Sequence, residues 1–170
     1  MKNQITIKSI TRPVRRIVSV PGSKSDTNRA LILAALTKGK VTIKGHLISD
    51  DTNVMIDCLK TLGVKISESK NSIMVAGSIF DVKEQDYILN AGLSGTTIRF
   101  LTAMLAIVPG IKMIGGKEGL NKRPIGDLVT ALQKLGAEIT YEKKEGFPPL
   151  KITSTGFKKK TATINGSVSS

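Results

Sequence analysis

The chain has 170 residues, 40% of them hydrophobic, and 26 Lys and Arg against 13 Asp and Glu, a formal net charge of +13. That excess calls for an anionic partner, whether nucleic acid, membrane surface or phosphorylated small molecule, while 4% aromatic content without tryptophan weighs against a base-stacking single-strand binder. A single cysteine, Cys58, excludes an internal disulfide, and a single histidine, His46, excludes a two-histidine zinc motif.

The predicted elements repeat. Arg29-Ala-Leu-Ile-Leu-Ala-Ala-Leu aligns with Arg99-Phe-Leu-Thr-Ala-Met-Leu-Ala. Leu59-Lys-Thr-Leu-Gly-Val-Lys-Ile aligns with Leu132-Gln-Lys-Leu-Gly-Ala-Glu-Ile. The first unit reads as a strand over Arg16 to Val20, a helix over Asp26 to Thr37 and a strand over Val41 to Gly45. A helix over Asp51 to Leu62 follows, with Val54, Met55, Cys58, Leu59 and Leu62 on one face, and then a hairpin of Val64 to Ser67 and Ser72 to Ala76. The second unit repeats the order: strand Asp86 to Leu89, helix Gly95 to Val108, strand Ile111 to Ile114. Its second helix is expected over Pro124 to Leu135, with Ile125, Leu128, Val129, Leu132 and Leu135 inward, and its hairpin over Glu138 to Lys143 and Leu150 to Thr153. Pro124 suits a first helical turn, and Gly63 and Gly136 suit helix C-termini. Thr161-Ala-Thr-Ile-Asn-Gly-Ser-Val-Ser-Ser170 opens a third copy that stops short of its helix, which reads as an N-terminal fragment. No apolar run reaches the ~20 residues that cross a bilayer. Met1 to Arg16 lacks the apolar core of a signal peptide. A cytoplasmic protein is expected.

Each copy ends its first strand in a glycine, Gly22, Gly92 or Gly166, and turns into a helix start. Free backbone N–H groups and the positive end of the helix dipole gather there and favour phosphate or carboxylate. Ser23, Lys24, Ser25, Ser94, Thr96, Thr97, Ser169 and Ser170 decorate these starts. Arg29 and Arg99 lie within reach, and Lys122 and Arg123 precede the fourth helix. The pattern points to a substrate with several negative charges. Plainer readings apply to single residues: serine and threonine as N-caps, Asp50 and Asp51 as caps of their helix, and Cys58 as core. His46 has no evident partner, and Lys158 to Lys160 reads as a solvated turn. Recurrence at one structural position favours the functional reading.

Pro21-Gly-Ser-Lys-Ser-Asp-Thr-Asn-Arg-Ala-Leu31, Gly95-Thr-Thr-Ile-Arg99, Lys122-Arg-Pro-Ile-Gly126 and Gly166-Ser-Val-Ser-Ser170 resemble, in order and spacing, the successive motifs of the 5-enolpyruvylshikimate-3-phosphate synthase family. The resemblance implies an α/β (α+β) fold of repeated βαβαββ units, with helices packed inward against sheets. It implies units over 14–77 and 84–154 and a third beginning at 161–170, within an incomplete N-terminal domain over 14–170. Segment 1–13 would associate with the other domain. It also implies transfer of the carboxyvinyl group of phosphoenolpyruvate to the 5-hydroxyl of shikimate 3-phosphate in the shikimate pathway, with no metal or organic cofactor. By the same resemblance Lys24 touches both substrates and is catalytic. Ser25, Arg29, Ser169 and Ser170 bind shikimate 3-phosphate, and Gly95 and Arg123 bind phosphoenolpyruvate. The remaining part of the enzyme is the implied partner, nucleic acid and membrane are not, and a monomer that binds without turnover is expected. Leu93 stands where the family usually has asparagine.

Two alternatives stay open at this stage. The related UDP-N-acetylglucosamine enolpyruvyl transferase shares the unit architecture, but its lysine is followed by asparagine and it uses a loop cysteine. A basic nucleic-acid-binding domain would use the net charge directly, with affinity falling steeply in salt.

Overall fold

The structure is a computed structural model that describes residues 4–153, 156–159 and 161–164. Its first unit comprises α1 (Lys24–Leu36), β1 (Lys40–Lys44), α2 (Asp50–Thr61), β2 (Lys65–Glu68) and β3 (Ser72–Ala76). The second comprises β4 (Tyr87–Asn90), α3 (Gly95–Leu105), β5 (Ile111–Gly115), α4 (Glu118–Asn121), α5 (Gly126–Lys134), β6 (Ile139–Tyr141) and β7 (Leu150–Thr153). The short helical turn Ile79–Asp81 joins them.

Local chemistry accounts for most of these boundaries. Ser23 caps α1 by accepting from the Asp26 amide, and Ser94 caps α3 by accepting from the Thr97 amide. Ser49 and Thr52 form a reciprocal capping box at α2. Gly63 and Gly136, one residue past the caps of α2 and α5, take the left-handed conformation with φ of 96° and 102°.

The first sheet runs β1–β3–β2, antiparallel throughout, with Val41 opposite Val75 and Ile66 opposite Val75 on its other side. The second runs β4–β5–β7–β6, and its β4–β5 pair is parallel. Alternation turns Ile73 and Val75 inward and leaves Lys40, Thr42 and Lys44 outside. Helices α1, α2 and α3 pack on one another, α1 against β1 and β3, and α3 against β5. Leu31, Leu59, Leu101 and Leu105 are fully buried in one cluster that draws on both units. Each such side chain stabilises the fold by roughly 1.5–3 kcal/mol. Mixed helix and sheet with helices inward is the expected class.

Four expectations need correction. Arg16 to Val20 is not a strand: Ile17, Val18 and Val20 are exposed, and β1 is an edge strand. In the second unit Ala91 donates its N–H to Gly115 O at 2.7 Å, extending the β4–β5 ladder. Seventy residues earlier the same place is Pro21, which has no N–H to donate. The helix expected from Pro124 starts at Gly126: Ile125 sits at a non-helical φ of −134° as its N-cap, with its amide donating to Gly146 O at 2.9 Å. The helix expected to reach Val108 ends at Leu105, where Ile107 and Val108 close tighter turns onto Met104 and Leu105. Residues 161–164 are exposed and form no strand, and the rest of the third copy, with Gly166, lies outside the described residues.

Candidate functional site

The start of α1 is placed by a close backbone approach. A Cβ on Gly22 would lie 2.2 Å from Gly45 O and 2.9 Å from the His46 carbonyl carbon, so only glycine brings the chain this near the end of β1. The Leu47 amide then donates to Thr27 Oγ1 at 3.0 Å, fastening the β1–α2 loop to α1. Thr97 Oγ1 donates to Asp51 O at 3.3 Å and joins α3 to the start of α2. The N-termini of α1, α2 and α3 are brought together by these contacts.

Between them lies an open cleft of about 750 Å³ lined by Lys24, Ser25, Arg29, Gly95, Arg123 and Asp51, together with Leu93, Thr96, Arg99, Phe100 and Pro124. That volume suits a small-molecule site, for which ~300–1,000 Å³ is ordinary. Lys24 Nζ is 2.9 Å from Asp51 Oδ2. Arg29 Nη1 is 3.1 Å from Asp26 Oδ1, in an exposed pair within α1. Arg99 donates from Nη1 to Gly95 O at 3.2 Å and from Nη2 to Pro124 O at 3.0 Å. A Cβ on Gly95 would lie 3.3 Å from Nη1 of both Arg99 and Arg123, so two guanidiniums meet over this glycine. Arg123 makes no ion pair among the described residues. Its loop is braced by the Asn121 amide, which both accepts from Gly116 N at 3.0 Å and donates to Gly116 O at 2.8 Å.

Lys24, Ser25, Arg29, Gly95 and Arg123 therefore share one cleft, while Ser169 and Ser170 lie outside the described residues. Lys122 turns to Glu118 at 2.5 Å and is not on the cleft wall. Ser23 and Ser94 direct their hydroxyls to cap amides, and Ser94 and Thr97 are buried. Asp50 and Asp51 are not caps: Ser49 is, and Asp51 serves Lys24 instead. Asp51 escaped the sequence reading because its partner stands on another helix. The hint was in the repeat, since Asp51 occupies in the first unit the place of Pro124 in the second.

The other singled-out groups lack reactive settings. Burial, with the Asp57 charge beside it, pushes the Cys58 thiol up to about 11, so it is not a thiolate nucleophile at neutral pH. Cys58 is buried mid-helix and donates to Asn90 O at 3.5 Å. His46 lies in the β1–α2 loop with Nδ1 buried and unpartnered among the described residues. Asn28, wholly buried one turn along α1 from Lys24, has no partner there for either amide atom. No helix among the described residues is long and apolar enough to cross a membrane.

Comparison with known proteins agrees with these features. A model of the EPSP synthase (3-phosphoshikimate 1-carboxyvinyltransferase) family matches residues 8–170. The 3-phosphoshikimate 1-carboxyvinyltransferase of Burkholderia lata is 48% identical over 137 residues, covering 79% of this chain and 31% of that protein. That of Sulfurovum sp. is 44% identical over 172 residues, 99% of this chain and 40% of its own length. EPSP synthase from Acinetobacter baumannii superposes with a TM-score of 0.75 at 29% identity, covering 81% of this chain and 32% of that one. The chain thus spans about a third to two-fifths of the length of the relatives it matches.

Proposed function

The chain belongs to the EPSP synthase family, and from that membership we propose that it supplies one wall of a site for enolpyruvyl transfer. In that reaction the carboxyvinyl group of phosphoenolpyruvate passes to the 5-hydroxyl of shikimate 3-phosphate, and phosphate leaves. The observation that carries the reading is the gathering of Lys24, Ser25, Arg29, Arg99 and Arg123 around one cleft at the starts of α1 and α3. Both substrates bear a phosphate and a carboxylate, and cations with convergent donors are what such groups need.

In this reading Lys24 stands between the two substrates. Ser25 and Arg29 hold shikimate 3-phosphate, with Ser169 and Ser170 on its phosphate. Arg123, over the backbone of Gly95, holds phosphoenolpyruvate. The tetrahedral intermediate carries concentrated negative charge, and fixed cations that meet it lower the barrier without reorganising. Residues 14–170 form part of a domain, with units over 14–77 and 84–154 and a third starting at 161–170, and segment 1–13 belongs with the other domain. The rest of the enzyme provides the facing wall, so the chain alone is a monomer that binds and does not turn over. Its setting is the cytoplasm, its substrates are small anions, and neither nucleic acid nor membrane is a partner.

The test is titration of the ¹⁵N-labelled chain with shikimate 3-phosphate, followed by amide shifts. Shifts at the starts of α1 and α3 are expected. Silence there, or shifts confined to the Lys158 to Lys160 run, would sink the reading. Phosphate release from the two substrates above a protein-free control would refute the inactivity of the isolated chain.

A further inference from the structure

Asp51 is the one acid among the described residues lining a cleft that also presents Lys24, Arg29, Arg99 and Arg123. An acid is costly at a site meant for anions unless it has a task. Capping is not that task, because Ser49 and Thr52 already satisfy the start of α2. The fold does not require an acid there either: the equivalent place in the second unit is Pro124, whose carbonyl holds Arg99 at 3.0 Å. In both units a residue at or just before the start of the second long helix, Asp51 or Pro124, offers an oxygen to a cation on the first. Stability is no explanation, since Lys24 is 50% exposed and a solvent-exposed ion pair adds little to folding.

We infer that Asp51 is a positioning residue for Lys24, its carboxylate accepting a hydrogen bond from one ammonium N–H so that the other two face the cleft. The inference rests on the reading of the cleft given above. The two partners differ in freedom. Asp51 is fixed in the first turn of α2, its carbonyl accepts from Thr97 Oγ1, and its side chain is 26% exposed. Lys24 has a flexible four-carbon stem with three donors at its end. Left alone, that stem would have to be ordered by the ligand. Tethered at 2.9 Å, it is ordered beforehand. The negative charge of Asp51 is balanced by the ammonium it holds and by the N-terminal dipole of α2, which limits its repulsion of an incoming anion. Immobilising one rotamer-rich side chain costs about 0.5–1.5 kcal/mol on binding, so the tether is worth roughly two- to tenfold in affinity.

The experiment measures binding of inorganic phosphate and of shikimate 3-phosphate to the full chain by amide shifts, in the parent, Asp51→Ala, Asp51→Asn, Lys24→Met and Lys24→Met/Asp51→Ala. Asp51→Ala is expected to weaken both ligands by roughly two- to tenfold. Asp51→Asn, which keeps an acceptor oxygen without the charge, restores affinity to the parent value or better. In the Lys24→Met background, Asp51→Ala causes no loss. Tighter or unchanged binding on Asp51→Ala overturns the inference, because Asp51 would then be a competitor for Lys24 or a bystander. An equal loss in the Lys24→Met background overturns it too, as does failure of the asparagine to restore affinity. The ligands separate the two readings. If phosphate follows the expected pattern and shikimate 3-phosphate does not bind, the substrate assignment fails and the role of Asp51 stands. If Lys24→Met weakens shikimate 3-phosphate and Asp51→Ala does not, only the role of Asp51 fails. Absence of binding by either ligand rejects both.

Discussion

Arg99 donates from Nη2 to Pro124 O at 3.0 Å, across the gap between the first turns of α3 and the loop that carries Arg123. The contact puts two guanidiniums side by side over Gly95, although Arg99 and Arg123 come from different elements of the unit. Like charges so placed repel, and carbonyls rather than carboxylates hold Arg99. Its positive charge is thus solvated by dipoles and not cancelled, which leaves it available to an anion.

Gly95→Ala tests that arrangement. The new methyl would sit 3.3 Å from Nη1 of both arginines, which are the far ends of flexible side chains and can move aside. The fold is expected to survive, with stability unchanged or raised by up to about 1 kcal/mol, since alanine favours helix more than glycine does. Phosphoenolpyruvate binding to the reconstituted enzyme is expected to weaken by roughly tenfold, a loss of about 1.4 kcal/mol, as the paired guanidiniums are pushed off their mark. Isothermal titration checks it, and parent-like affinity would separate Arg99 and Arg123 from the ligand.

Lys24→Met removes the charge and keeps the stem. A charge-assisted hydrogen bond contributes about 1.5–3 kcal/mol, so shikimate 3-phosphate binding is expected to fall roughly ten- to a hundredfold. Folding should change by no more than about 1 kcal/mol, the worth of an exposed ion pair. Lys158→Met is the control: its side chain is exposed and outside the cleft, and its backbone amide, which the substitution keeps, donates to Leu135 O at 2.9 Å. Equal binding by the two variants would make Lys24 an ordinary surface lysine.

Legibility in the sequence followed the range of the interaction. The Met55, Cys58 and Leu59 stripe and Gly63 and Gly136 past their helices rest on contacts within a turn or so and were readable. For Ser23 and Ser94 the sequence offered capping as the plainer reading and preferred an anion-binding one, whereas both hydroxyls accept from cap amides. The strand over Arg16 to Val20 was not, because a strand is defined by its neighbour, and Pro21 removes the amide that its counterpart Ala91 uses to extend the ladder. Pro124 satisfied the preference for a first helical turn, yet α5 starts two residues later, with Ile125 as a non-helical N-cap whose amide is held by Gly146 O across the loop. The clustering of Lys24, Arg29 and Arg123 followed from the repeat, whereas the Lys24–Asp51 pair depends on how α1 meets α2 in space.

One core serves both units, and this has a thermodynamic consequence. Leu59 of α2 and Leu101 of α3 are each fully buried in the same cluster. Leu59→Ala and Leu101→Ala should each destabilise the chain by about 2–5 kcal/mol, the usual range for a buried leucine truncated to alanine. Both are expected to shift a single urea transition with its slope unchanged. Two separable transitions, one moved by each substitution, would show that the units unfold independently.

Lys112 predicts the pH dependence of stability. It is wholly buried on β5, with Nζ donating to Val108 O and to Gly110 O at 2.7 Å. Burial lowers its pKa from 10.5 to about 8, and the Glu84 charge offsets only part of that. Between those values the unfolded chain keeps a proton on this lysine that the folded chain has released. Unfolding therefore takes up a proton, and stability rises as pH increases from about 8 to about 10.5, with no contribution to the slope below that window. Each unit of difference is worth about 1.4 kcal/mol, so the rise should be roughly 2–4 kcal/mol. The comparison that isolates Lys112 is the parent against Lys112→Met. Urea midpoints measured from pH 7 to pH 10.5 should show the parent gaining on the variant as pH rises. If the difference between the two stayed constant, or shrank, the ammonium would be comfortable where it lies, held by the two carbonyls as a charged cap on the turn after α3.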